Sequence, residues 1–178
     1  MELDAWSDFL VITGGSAAAL VGLMFVVISL GPETGARSKE SVRAFISPVV
    51  GFFASVLVIT AVMAMPGLPL SLRGGAVAAL GLAGVGYLIF ARAWKQVRPH
   101  NLGVEDLVCY FVLPLCAYGA TLGGGIALAL RHPMGTTFVG GAIVALLAVG
   151  LRNAWDLVIF IARKKADDAD AAATTRPG

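Results

Sequence analysis

Arg152, Asn153 and Asp156 stand together inside GLRNAWDLVIFIARKK, residues 150 to 165, where a cation, an amide and an anion interrupt an otherwise apolar run. Arg152 and Asp156 are four residues apart, so on a helix they share a face and can pair across one turn. With Arg on the N-terminal side, such a pair contributes only a few tenths of a kcal/mol at a surface, and desolvation can cost more than the attraction returns. In hydrocarbon each ion is disfavoured by roughly 2.5 to 3.5 kcal/mol on insertion scales. Three roles would justify that cost, one of them a contact with another membrane protein. Another is a salt bridge that fixes helix register, and the third is a path for a cation, a proton or a small solute. Gly141, Ala145, Ala148, Arg152 and Asp156 follow one stripe, which predicts that the pair lies on a close-packed inner face with Asn153 beside it. Glu105 and Asp106 precede the fourth apolar run on the same side, and would complete a polar cluster if runs four and five are antiparallel neighbours.

Other chemistry is poorly supplied. Intramembrane proteolysis needs paired Asp, Ser with His, or a metal cluster, whereas the apolar runs hold one Asp and no His. Cys109 and Cys116 are seven apart on one run, about 10 Å along a helix, too far to bridge, and are expected to be small buried apolar residues. His100 and His132 fall on opposite sides of the membrane and cannot share a haem or metal. Gly123, Gly124 and Gly125 lack the lysine and hydroxyl of a phosphate loop. No Lys lies inside a run to hold a Schiff-base chromophore. The residues thus call for no cofactor and no nucleic acid.

The elements that would position this cluster are membrane helices. Hydrophobic residues make up 58% of the 178, charged residues 13%, and the mean hydropathy is +0.85. That excludes an ordinary soluble domain. Five runs are long enough to cross the hydrocarbon, which needs roughly 20 helical residues: 9–30, 44–65, 72–91, 107–130 and 138–161. They do not alternate as lipid-facing strands would. The leader MELDAWSD is acidic where a signal peptide is basic, so the first run is expected to be retained. The expectation is an all-α, polytopic bundle of five transmembrane helices. The depth of Arg152 has two registers. Counting back from Arg163, Lys164 and Lys165 puts it near the midplane; starting the fifth span near Met134 puts it at the inner interface.

Ten basic residues (Arg37, Lys39, Arg43, Arg92, Lys95, Arg98, Arg163, Lys164, Lys165 and Arg176) fall on one side of these spans. The other side has Arg73 and Arg131. This predicts an external N-terminus and a cytoplasmic C-terminus. Residues 163–178 read as a basic-then-acidic cytoplasmic tail without fixed structure. An odd number of spans argues against a transporter of two repeated halves.

Small residues at four-residue spacing let helices approach closely. The candidates are Gly14, Ala18 and Gly22; Ser47, Gly51 and Ser55, with Pro48 bending that helix; Gly75, Ala79 and Ala83; Gly119 and Gly123; and Gly141 with Ala145. Such faces pack the five helices of one chain or serve between subunits of a homo-oligomer.

Two stretches, FLVITGGSAAALVGLMFVVISL and LRNAWDLVIF, resemble small multi-span membrane proteins of bacterial, especially actinobacterial, genomes, some described as modulators of the membrane protease FtsH. The resemblance implies a multi-pass protein of the bacterial plasma membrane and carries no catalytic residue set. The expected role is a structural or regulatory subunit whose partners are the bilayer and another membrane protein or a second copy. The alternative is an oligomeric channel or transporter built on the Arg152 and Asp156 stripe.

Overall fold

A bilayer offers no water to an unpaired peptide group, so apolar runs of this length satisfy their backbone as helices. The structure, a computed structural model, describes residues 4–30, 36–95 and 108–174. A 3-10 turn, Asp4–Trp6, leads into α1, Ser7–Leu30. Then come α2, Ala36–Ala64, and α3, Leu70–Lys95. A π-helical turn, Val108–Val112, runs directly into α4, Leu113–Ala129, and α5 spans Gly135–Thr174. The described residues contain no strand, and the chain is an all-α bundle. Three segments, Ser7–Val27, Leu70–Phe90 and Gly135–Ile159, are long and apolar enough to cross a membrane. The apolar stretches of α2 and α4, Pro48–Ala64 and Leu113–Ala129, are shorter.

The helices are held in an antiparallel arrangement. α3 packs most extensively on α4, α4 on α5, and α5 on α2, while α1 lies mainly against α2. The α2–α3 contact is much the slighter one, which leaves a seam between those neighbours in sequence. Trp6 rests on Gly140 at the start of α5, and Gly74 at the start of α3 meets Ala129 at the end of α4. The N-terminal turn and the α2–α3 and α4–α5 connections therefore share one end of the bundle.

The α3–α4 interface is backbone against backbone. A Cβ added to Gly74, Gly81 or Gly125 would fall inside the main chain of Ala129, Leu122 or Ala78 respectively. Only hydrogen at those positions permits such an approach. Elsewhere larger side chains fill the interior. Phe52, Val56, Ile59, Val77, Leu128, Ile143 and Leu146 belong to one buried cluster, and Met24, Val49, Phe53, Ala154 and Leu157 form a second.

Helix ends are satisfied locally. α2 stops before Pro66 and Gly67, the latter at φ 74°, a backbone suited to glycine in a tight turn. Arg73 then reaches back to the terminal carbonyls of α2, its Nη1 donating to Met63 O at 2.9 Å and its Nη2 to Met65 O at 2.6 Å. A cation at the negative end of a helix is favourable there. One of the two basic residues on the sparsely charged side is thus occupied in ending a helix.

α4 ends in a Schellman motif: His132 N donates to Ala127 O at 2.8 Å and Arg131 N to Leu128 O at 3.0 Å. The left-handed position of that motif usually holds glycine, yet here it is Arg131, at φ 60°. Arg131→Gly should raise stability by about 1 kcal/mol. Thermal unfolding of the detergent-solubilised variant beside the native chain checks this, and a lower midpoint would show that the Arg131 side chain contributes more than its backbone costs.

The tail departs from expectation. Residues 163–174 continue α5 as helix where disorder was expected from their polar composition, and the helix reaches 40 residues. The sequence ADDADAAAT explains this, because alanine has the highest helix propensity and the segment extends a preformed helix without a new nucleus.

Candidate functional site

The polar cluster on α5 is turned differently from the sequence expectation. Gly141, Ala148 and Arg152 are exposed, and Ala145 and Asp156 are half-buried. The stripe they form is on the outside of the described bundle. The inner face is Ala142, Leu146, Val149 and Asn153. Asn153 is 3% exposed, and its Oδ1 has no hydrogen-bond partner among the described residues. The shift follows from helix geometry, since neighbouring positions differ by about 100° and the faces of an almost wholly apolar helix are hard to distinguish. Glu105 and Asp106 lie outside the described residues.

A buried amide oxygen left without a donor costs about 1–3 kcal/mol. Asn153→Leu, similar in size and fully apolar, should therefore raise the stability of the isolated chain by about 1 kcal/mol. Unfolding in detergent gives the sign. A loss of stability would show that the amide is bonded in the protein as it exists.

Other buried polar groups are self-contained. Thr13 donates to Phe9 O at 2.6 Å, Thr60 to Val56 O at 3.0 Å and Thr121 to Ala117 O at 2.9 Å, each back onto its own helix. They provide no chain of hydroxyls from one end of the bundle to the other. Among the described residues no group of three or more His, Cys, Asp or Glu side chains could hold a metal ion. Cys116 is a free thiol on the exposed side of α4, contrary to its expected burial, and the Cys109 side chain lies outside the described residues. His132 is exposed in the α4–α5 turn, while His100 is outside the described residues.

A cleft opens at the α2–α3 seam. Its volume is about 300 Å³, and its walls include Pro48, Gly51 and Ser55 of α2, Ala83 and Tyr87 of α3, and Tyr118 of α4. Tyr118 is buried at 5% exposure, tilted against Phe52 with ring centroids 6.0 Å apart. Gly84 gives its ring room, since a Cβ there would overlap it. At the floor, Ser55 Oγ donates to Gly51 O at 2.8 Å and lies 2.9 Å from Tyr118 Oη. Serine has one hydroxyl proton, so both contacts are made together when that proton goes to the Gly51 carbonyl and the Tyr118 hydroxyl donates to Ser55. The pair spends both protons internally and leaves only oxygen lone pairs for anything else in the cleft.

No known family model, curated protein or solved structure matches this chain. Any function must be argued from the arrangement itself.

The small-residue faces meet the fold unevenly. Gly14 is a true close approach, where a Cβ would come within 2.7 Å of Thr60 Oγ1. Ala18 and Gly22 on the same stripe are exposed, and Ala17 is the buried residue. Gly51, Gly75, Gly119, Gly123 and Gly141 have no neighbour within 4 Å of an added Cβ. The α3–α4 contact instead uses Gly74, Gly81 and Gly125, while Gly140 and Gly150 receive Trp6 and Phe53 on α5. Ser55 serves as a hydrogen-bonding residue, and the Ser47 side chain is outside the described residues. The Ser55–Tyr118 pair was missed because its partners are 63 residues apart. The one available signal was a tyrosine in the middle of an apolar run, where its hydroxyl needs a partner.

Proposed function

We propose that the chain is a five-span integral membrane protein that acts as a structural or regulatory subunit, with an external N-terminus and a cytoplasmic C-terminus in a bacterial plasma membrane. The observation that carries this reading is an apolar exterior on every helix around an interior that has no polar path among the described residues. Val11, Leu57, Leu82, Ile126, Val144 and Leu151 are all exposed, and so continuous an apolar surface suits lipid rather than water. The shorter apolar parts of α2 and α4 join the three longer spans because the π-helical turn lengthens α4 and α2 continues beyond Pro48. The ten-to-two distribution of basic residues supports the orientation. Arg152, exposed in the last third of its span, suits a depth from which its guanidinium can reach the headgroups.

Membrane placement is tested first by alkaline extraction and by impermeant thiol labelling in a chain lacking Cys109 and Cys116. His132→Cys should label in intact cells and Ala171→Cys only after permeabilisation; the reverse pattern would overturn the orientation. The subunit role is tested by flux. Purified chain in proteoliposomes should pass no ions or protons under an imposed potential, and should migrate in mild membrane extracts with an assembly larger than itself. Native flux altered by Arg152→Gln or Asp156→Asn, with folding retained, would replace this reading with an autonomous channel.

A further inference from the structure

We infer that the cleft between α2 and α3 is a binding site for an uncharged lipid-phase molecule with a single hydroxyl on an apolar body, in the chemical class of long-chain and isoprenoid alcohols. The inference rests on the chain being embedded in a membrane. Four observations converge on that class. The cleft has about 300 Å³ of space, at the small end of the ~300–1,000 Å³ typical of ligand pockets. It lies where α2 and α3 touch least, and Ala83 and Tyr87 on its wall are exposed, so access is sideways from the surrounding lipid rather than along the bundle.

The third observation is the proton inventory of the floor. When both contacts are made, the Ser55 proton goes to Gly51 O and the Tyr118 proton to Ser55 Oγ, so the cleft offers acceptors, and its complement is a donor. Ethers and esters without a free O–H would meet lone pair with lone pair. The fourth is depth. Ser55 is nine residues before the end of α2 at Ala64, which places it about 14 Å along the helix from the connected end, near the middle of a ~30 Å hydrocarbon layer. Ionic and zwitterionic headgroups do not leave the interface for that depth. A lone hydroxyl can do so, and gains by finding an acceptor there. Gly51 has no side chain and open space before it, which keeps the α2 wall recessed for an apolar body.

The experiment uses the full chain in liposomes with a diazirine-bearing sixteen-carbon alcohol, and the methyl ether of the same alcohol as its donorless control. The alcohol should crosslink to peptides of α2, α3 or α4 that border the cleft, and excess unlabelled alcohol should compete while excess ether should not. Gly51→Leu, which fills the recess, should reduce labelling at least tenfold with the melting temperature unchanged; Ala83→Leu repeats the test from the exposed wall. Ser55→Ala combined with Tyr118→Phe, which removes both hydroxyl acceptors, should bring alcohol and ether labelling to within about twofold of each other. Equal labelling by alcohol and ether in the native chain would overturn the inference. So would labelling that survives both filling variants, or labelling by neither probe above a generic apolar diazirine, which would mean that the cleft holds water or is closed. Failure of the membrane reading is distinguishable, because the chain would then be released by alkaline extraction whatever the probes label.

Discussion

Gly125→Ala is expected to destabilise the folded chain by about 3 kcal/mol, the upper part of the usual range for overpacking. The reason is the identity of the obstructing atoms. An added methyl at Gly125 meets the backbone of Ala78 and Gly74, and backbone cannot rotate aside as a side chain can. The two helices must separate along a contact that includes Gly74 and Gly81, the most extensive helix pair in the bundle. Gly123→Ala, two residues away, is the control. Its methyl would enter open space, and replacing a helical glycine should leave stability unchanged or raise it by up to about 1 kcal/mol. Thermal unfolding of both variants in one detergent reads the contrast. If both melt alike, the α3–α4 approach is looser than its geometry requires.

Phe53→Ala should also cost about 3 kcal/mol, through a cavity rather than a clash. Phe53 is fully buried within the cluster that joins α1, α2 and α5, and its ring lies over Gly150, where a Cβ would stand 2.6 Å from Cε1. In a membrane the loss is mainly of dispersion contacts, because lipid is as apolar as the side chain removed. Gly150→Ala alone should be milder, since a ring edge can shift. The double variant should recover part of the deficit as the new methyl fills part of the space left by the ring. A double-mutant cycle measures that coupling, expected at 0.5 kcal/mol or more in the favourable direction; strict additivity would refute the contact.

The helical class and the positions of the apolar segments were legible because hydropathy and length are summed over about 20 residues. The helix faces were not, and the four α4 glycines show why. Gly119 and Gly123 form a four-residue pair, and so does Thr121 with Gly125, yet only the second pair faces the protein interior. In a soluble helix, water would mark the outer face with polar residues. Here lipid outside and side chains inside both select Ala, Gly and Leu, so the sequence carries almost no rotational signal. The same ambiguity misplaced the α5 stripe. Arg152 and Asp156 attracted the inward assignment because they are charged, whereas the residue taken inside is the neutral Asn153. The cleft was beyond reach for a different reason, since it depends on the weak contact between two adjacent helices and on hydroxyls from α2 and α4.

The unbroken course of α5 has a mechanical consequence. Its 40 residues measure about 60 Å at 1.5 Å per residue, and the span Gly135–Ile159 accounts for 25 of them. The remaining 15 or so extend about 20 Å past the span as a stalk rather than a tether. A tether would decouple what it carries from the bundle. A continuous helix instead converts a tilt of the span into a lateral sweep of its far end and carries an axial rotation through to it, so the sequence ADDADAAAT rides on a lever whose fulcrum lies in the membrane.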